Sequence, residues 1–465
     1  MSLPPEIKNV HFIGIGGYGM SALAQILLQK GCRVSGSDIK ASSLTEALVS
    51  RGAAVTIGHH PDNLGTARLV VYSTAIASDN PEMVEADRRG LPLWHRSELL
   101  AALFNSSCGI AVAGAHGKTT TTAMIALLLE AGGLDPTAVI GGVIPAYGSN
   151  ARLGTGSYLV AEADESDSSF TRYFPCLTLV TGIEPDHLEH YHNDYGRLLQ
   201  AYKKFLDNLP PDGTAVLCFD DPALRQMAGR LDCRVVSYGL SASEDRPADY
   251  IADKITFNGG GSTFDLTRSS LKKASAVTLN IPGRHNVSNA VGALALADQL
   301  GLDPDRCAPA LAAFTGVKRR FERIGSAGGI TVIDDYAHHP TEIKATLEAA
   351  RPSAGRIICF FQPHRYSRTA AQFDGFAAAF AEADYLFLHD IYGAGEAPLP
   401  GVSAEVLAEA IRRCSKIPVL YDSDIRTLEK EAAALARPGD LIMTMGAGDI
   451  TASAPRILKL LKEKR

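Results

Sequence analysis

A basic side chain and a hydroxyl that can both meet phosphate stand side by side in "GIAVAGAHGKTTTTAMIALLLEAGG". Apolar strand residues run into Gly114-Ala115-His116-Gly117-Lys118-Thr119, and a helical pattern leaves it. Backbone amides of such a loop cradle phosphates, the lysine reaches the β- and γ-oxygens, and the threonine hydroxyl ligates Mg2+. The spacing departs from G-x-x-x-x-G-K-[ST] by two residues fewer between the glycines. ATP binding by Gly114 to Thr119, with Thr120 behind them, is therefore the expectation, rather than a mere helix cap.

A phosphate loop needs acidic metal ligands, and Glu162 ends the apolar strand of "YLVAEADESDSSF". Its neighbours Asp164, Glu165 and Asp167 read as a solvated acidic loop. The next apolar run ends in "EPDHLEHYH". Three histidines suggest zinc, but no cysteine is near and phosphate calls for a harder ion. His187 alone is expected to serve the nucleotide–metal site, with His190 and His192 as surface or core residues.

A second phosphate-type turn opens the chain. "HFIGIGGYGMS" carries Gly14, Gly16, Gly17 and Gly19 between a strand and a helix, and Asp38 follows in "CRVSGSD". These glycines allow a tight turn, close approach to a pyrophosphate and close helix packing, and the carboxylate suits ribose hydroxyls. A nicotinamide or flavin and some other nucleotide diphosphate both remain open for this turn.

Further along, "GRHNVSNA" places His285, Asn286 and Asn289 on one helical turn, where Asn286 also suits a cap. "VIDDYAHHPTEI" ends a strand in Asp334-Asp335 and starts a helix at Pro340, a cluster at the carboxyl end where α/β folds bind ligands. "FQPHRYSRT" sets Arg365 and Arg368 three apart, so that on a helix both face one site and grip a carboxylate or phosphate. Arg319, Arg320 and Arg323 lie in a Gly-rich basic stretch that reads as a hinge, whose closure could carry one of them to a γ-phosphate.

These residues need a scaffold, and 465 residues exceed one ordinary core. Short apolar strands alternate with helical periodicity, the pattern of βαβ units around parallel sheets. "DYIADKITFNGGGSTFDLTRSSLKKASAVTLNIPGRHN" departs from it and reads as antiparallel strands around a glycine turn. Strand–turn–helix starts near Val10, Ile110 and Ile330 predict three domains, 1–96, 97–315 and 316–465. A net charge of −6 gives no footprint for nucleic acid, and no stretch has a membrane span's length and apolarity. The eight cysteines form no C-x-x-C pair and read as reduced, mostly buried thiols of a cytoplasmic protein without a signal peptide.

Taken in order, "GAHGKTTTT", "AEADESD", "IEPDHLEHY", "GRHNVSNAVGALALA", "VKRRFERI", "DDYAHHPTEI" and "FQPHRYSRT" resemble the Mur ligases of peptidoglycan synthesis, over about residues 8 to 450. The opening "HFIGIGGYGMSALA" is similar to the member that joins L-alanine to UDP-N-acetylmuramate. The nearest alternative joins a ready-made tripeptide to the same sugar nucleotide. Ala115 and Gly182 depart from the threonine and asparagine common in the family.

The resemblance implies a Rossmann-like UDP-binding domain, a central ATPase-type α/β domain with a small antiparallel sheet, and a C-terminal Rossmann-like domain for the amino acid. It implies that the first turn (Gly14, Gly16, Gly17, Gly19, Asp38, with Ser73 and Thr74) holds UDP. It places Thr119 and Glu162 on one Mg2+, Glu162 and His187 on a second, and His285, Asn286 and Asn289 near adenosine, with Arg320 a candidate for ATP. Tyr336 and His338 would face the acyl phosphate and incoming amino acid, beside Arg365 and Arg368, while His339 caps the helix. Lys118, Glu162, His187, His338 and Arg365 are the expected catalytic set, in a monomer or homodimer.

Overall fold

A computed structural model describes residues 8–166, 168–240, 248–258, 260–269 and 273–464. Asp167 lies outside the described residues. The fold is α/β, with three sheets, and the chain divides into two compact units. The first holds the residues up to Asp253 with Asp265–Val277 and Ser288–Leu311; the second holds Lys254–Phe264, Thr278–Val287 and the chain from Ala312 on.

The first unit opens with five parallel strands in the order Ala54–Ile57, Arg33–Asp38, Asn9–Ile13, Leu69–Tyr72, Leu93–His95. The central strand, NVHFI, is buried from Val10 onward. That buried run without alternation, apolar but for His11, is what a strand covered on both faces requires.

A ten-stranded sheet follows. Parallel strands run in the order Arg234–Gly239, Thr214–Cys218, Leu177–Val180, Cys108–Ala113, Tyr158–Glu162, Thr137–Ile144. Ser149–Arg152 pairs antiparallel to the last of these and closes that edge. At the other edge Tyr250–Asn258, Gly261–Arg268 and Lys273–Leu279 extend the sheet, three strands where the sequence departs from βαβ periodicity, and Tyr250–Asn258 pairs parallel with Arg234–Gly239.

A six-stranded sheet in the second unit runs in the order Glu322–Ala327, Ile330–Asp335, Leu441–Met445, Ile357–Phe361, Tyr385–Leu388, Val419–Tyr421. Strand IICFF is buried throughout. Its odd residues, Ile357, Cys359 and Phe361, join one core, and Ile358 and Phe360 join the other, because successive side chains point to opposite faces. Part of the stretch read as a hinge is strand: Glu322–Ala327 turns back through Gly328 and Gly329, at φ +60° and +76°, onto Ile330–Asp335. Two consecutive left-handed residues form the tight turn of a hairpin, and only glycine takes them without strain.

All eight cysteines are free, but only Cys218, Cys307 and Cys359 are buried; Cys414 is exposed. Among the described residues no helix is long and apolar enough to cross a membrane.

Candidate active site

The phosphate loop joins strand Cys108–Ala113 to helix Lys118–Ala131. Gly114 and Gly117 hold φ of +128° and +81°. A Cβ on Gly114 would stand 2.1 Å from Thr181 Oγ1, and one on Gly117 would stand 2.6 Å from Asn289 Oδ1. Asn289 thus lies against the loop from 172 residues away (289 − 117). Thr181 Oγ1 donates to His116 O (2.5 Å) and Ala115 N donates to Gly182 O (2.9 Å), so the loop is braced from the neighbouring strand's end. The first turn of the helix carries no acidic residue, which leaves its positive end to an anion. Gly114→Ala should cost about 1–3 kcal/mol of backbone strain plus the clash, read as a lowered thermal midpoint together with a KM for ATP raised tenfold or more. An unchanged KM would show that the loop re-forms around the methyl.

Lys118 Nζ donates to Gly114 O (2.8 Å) and to both carboxylate oxygens of Glu165 (2.8 and 2.9 Å). Glu165 is 2% exposed, so the solvated-loop reading fails for it. A buried ammonium needs a counter-charge, and the acidic loop folds inward to supply one. Burial alone would push the lysine's pKa down, but Glu165, Asp164 and Glu162 outweigh it and hold Lys118 charged. Tyr191 fixes that loop by donating its hydroxyl to Glu165 O (2.5 Å).

Glu162 accepts from Thr119 Oγ1 (3.1 Å) and from Gly141 N (2.5 Å). A Cβ on Gly141 would lie 2.8 Å from that carboxylate, so glycine is needed there. A hydroxyl and a carboxylate side by side at the first turn of the helix are hard oxygen donors, the set that suits Mg2+. His187 is half-buried with φ +55°, 3.5 Å from Asp186 and 3.7 Å from Glu189. Burial pushes Asp164 up, but Lys118 foremost, with a smaller share from His187, brings its carboxyl below the ordinary value. His190 and His192 are exposed, and Thr120 is buried beneath the loop.

The first glycine turn is tied to the end of the next strand. Gly14 N and Ile15 N donate to Ser37 O (2.8 and 2.9 Å), and Gly16 N donates to Asp38 Oδ2 (2.8 Å). Asp38 therefore shapes the turn as well as standing beside it. Gly17 caps helix Tyr18–Gln29. A Cβ on Gly14 would meet Ile76 at 3.2 Å, which brings the loop of half-buried Ser73 and exposed Thr74 beside the turn. At Gly19 the corresponding neighbour is Arg96 Nη1, 3.3 Å away. No motif pointed to that guanidinium.

In the second unit, "VIDDYAHHPTEI" separates into roles. Asp334 accepts from Thr444, Thr451 and Arg319, and Asp335 accepts from Phe321 N and Ala337 N. Both are buried scaffolding, and burial pushes Asp335 up to about 6. Tyr336 lies under the guanidinia of Arg319 (4.9 Å) and Arg320 (5.1 Å). Arg319 is further held by Gly446 O (2.7 Å), Arg320 lies 3.6 Å from Glu342, and Arg323 is exposed. His339 caps helix Pro340–Ala350, its Nδ1 accepting from Thr341 N (3.4 Å). Asn286 donates Nδ2 to Pro282 O (2.7 Å), which ties the start of its helix, and His285 packs against Gly283.

His338 Nδ1 lies 2.9 Å from Tyr336 O and 3.3 Å from Glu342. Both are acceptors, so Nδ1 carries the proton and Nε2 keeps its lone pair. Burial first, opposed by Glu342 and helped by Arg368, pushes the imidazole down to about 4. The ring is neutral at neutral pH. His364, 5.9 Å away between centroids, accepts at Nδ1 from Arg368 (3.3 Å) and is pushed down to about 3 by burial, His338 and the two arginines. Arg365 stands just before helix Tyr366–Ala371 rather than within it, at φ +69° and ψ 138°. Its Nε is buried with no hydrogen-bond partner among the described residues. Strain and an unsatisfied buried donor on one residue are the marks of a ligand site. His364 and Arg96 are residues to which the motifs assigned no role, and Glu165 is one assigned the wrong role, as part of a solvated loop. His364 and Glu165 lay inside motifs that drew notice, and Arg96 did not.

Family models match in three consecutive stretches: "Mur ligase family, catalytic domain" over 9–107, "Mur ligase middle domain" over 112–297, and "Mur ligase, glutamate ligase domain" over 319–448. The UDP-N-acetylmuramate–L-alanine ligase of Desulforamulus reducens is 47% identical over 468 residues, covering 100% of both chains. Among solved structures, the UDP-N-acetylmuramate-alanine ligase of Thermotoga maritima is similar with a TM-score of 0.82 at 28% identity, over 98% of this chain and 100% of that one. A murein peptide ligase from Psychrobacter arcticus gives 0.72 at 26% identity, over 98% and 99%.

Proposed function

The chain belongs to the Mur ligase family, and from that premise we infer that it is an ATP-dependent ligase joining L-alanine to the lactyl carboxylate of UDP-N-acetylmuramate. The observation that carries this reading is identity at 46–47% along nearly the whole chain with ligases of that name. The three domains, 1–96, 97–315 and 316–465, receive the sugar nucleotide, ATP and the amino acid.

A carboxylate does not acylate an amine in water, because oxide is too poor a leaving group. In the first step the carboxylate oxygen attacks the γ-phosphorus of ATP, the bond to the bridging oxygen breaks, and ADP leaves. In the second the alanine nitrogen attacks the acyl carbon, the C–O bond to phosphate breaks, and inorganic phosphate leaves. Each step crowds anionic oxygens together, so fixed positive charge must be supplied in advance.

Lys118 supplies it at the β- and γ-phosphates, over amides of Gly114, Ala115, His116 and Gly117. Thr119 and Glu162 would hold Mg2+, which neutralises phosphate charge when bound; by likeness to the family His187 would share a second ion with Glu162. Asn289, against Gly117, and His285 and Asn286 serve the nucleoside. The turn of Gly14, Gly16, Gly17 and Gly19, with Asp38, Ser73 and Thr74, binds UDP, and Arg96 adds a cation there. Arg365 and Arg368 grip the alanine carboxylate. His338 Nε2 takes the proton that the amine must lose, and the Tyr336 carbonyl orients the His338 ring through Nδ1. The reaction places the protein in the cytoplasm, where ATP and the sugar nucleotide are found.

Phosphate release with ATP, Mg2+ and UDP-N-acetylmuramate should require L-alanine. Release with an L-alanyl tripeptide but not with alanine would assign the chain to recycling instead.

A further inference from the structure

Glu82 belongs to none of the motifs above. It stands in the first turn of helix Pro81–Arg88, is fully buried, and sits among donors. Ser37 Oγ (2.6 Å), Asn63 Nδ2 (2.7 Å), His11 Nε2 (3.2 Å) and His60 N (3.2 Å) all reach its carboxylate, and His59 Nδ1 lies 3.8 Å away. Burial pushes the carboxyl up, but hydrogen bonds from His11, Ser37 and Asn63 outweigh it and hold it down at about 2. One ionised group thereby joins the first strand, the second strand's end, the loop at 59–63 and a helix. A dry carboxylate is a costly way to join elements that apolar side chains of the same volume would join as well. What it adds is direction.

That direction ends at the glycine turn. Gly14 N and Ile15 N hang on the carbonyl of Ser37, and Gly16 N hangs on Asp38, so three successive amides take their places from residues 37 and 38. The hydroxyl of Ser37 in turn has its direction set by Glu82. His59 Nδ1, 2.9 Å from the same hydroxyl, completes the link.

We propose that Glu82 is a positioning residue for the diphosphate turn: through Ser37 it sets the amides of Gly14, Ile15 and Gly16 in the arrangement that receives UDP. This rests on the reading of the turn as a UDP site. The probe is UDP itself, titrated calorimetrically into the full-length protein. Glu82→Gln keeps the volume but turns an N–H toward one of the donors, and should raise the Kd for UDP about tenfold or more. Its KM for ATP and for L-alanine should change less than twofold. Ser37→Ala breaks the same link at its next member, should weaken UDP in the same way, and decides the matter if Glu82→Gln does not fold. Ala86→Gly loosens the same helix without touching Ser37 and should leave UDP affinity unchanged. Unaltered UDP affinity in both Glu82→Gln and Ser37→Ala, or equal weakening by Ala86→Gly, overturns the proposal. Failure of the unaltered protein to bind UDP would instead overturn the reading of the turn.

Discussion

Lys118→Ala should lower phosphate release by about 10³-fold or more, the scale seen when a preorganised charge on a transferring phosphoryl group is lost. Affinity for the sugar nucleotide should be nearly intact, because its turn lies on a different sheet. A second effect follows from the pairing. The substitution leaves Glu165 buried without the ammonium that both its oxygens accept from, which costs about 3–5 kcal/mol unless the carboxyl takes up a proton. The variant's stability should therefore rise as pH falls toward the carboxyl's raised value. Adding Glu165→Gln should restore the thermal midpoint at neutral pH without restoring turnover. Phosphate release, calorimetric affinity for UDP-N-acetylmuramate and thermal midpoints of both variants test this together. Equal loss of sugar-nucleotide binding and phosphate transfer would mean the two phosphate sites have been divided wrongly.

His338→Ala should lower kcat by about 10²–10⁴-fold, the usual contribution of a positioned proton acceptor. The loss should be the same at every pH from 6 to 9. With the folded imidazole pushed down to about 4, the ring is already neutral throughout that range, so no part of the loss can come from its titration. A defect growing from pH 6 to 7.5 would show that His338 ionises near its ordinary 6.5 and that burial is not controlling it. The stability sign is separate: below pH 6.5 the unfolded chain takes up a proton that the folded ring refuses until about 4. The wild-type protein should lose stability across that window as pH falls, and the Ala variant should lose less.

Much of the chemistry was legible because it is local. Gly114 to Thr119 form one loop between one strand and one helix, and the glycine positions dictate its left-handed turns. The turn from Gly14 to Gly17 likewise joins one strand to one helix, with Gly14 at φ +78°, and Glu162 stands at a strand's end. The period of apolar residues likewise determined parallel sheets with helical crossovers, since a strand buried on both faces must read as an unbroken apolar run. Asn286 and His339 were legible as residues tied to helix starts, for the same reason of short range.

Tertiary structure alone decided which charges meet. Glu165 lay in an acidic run that looked solvated, and only folding brings it within 2.8 Å of an ammonium 47 residues away. Asn289 against Gly117 and Ile76 against Gly14 are similarly distant in the chain. Protonation states could not be read at all: His338 and Asp335 titrate where they do because burial strips their water, and burial is a property of packing rather than of residue type. Helical spacing suggested that Arg365 and Arg368 share a helix. Instead the backbone at Arg365 takes a strained turn before that helix begins, and that packing leaves its Nε without a partner among the described residues.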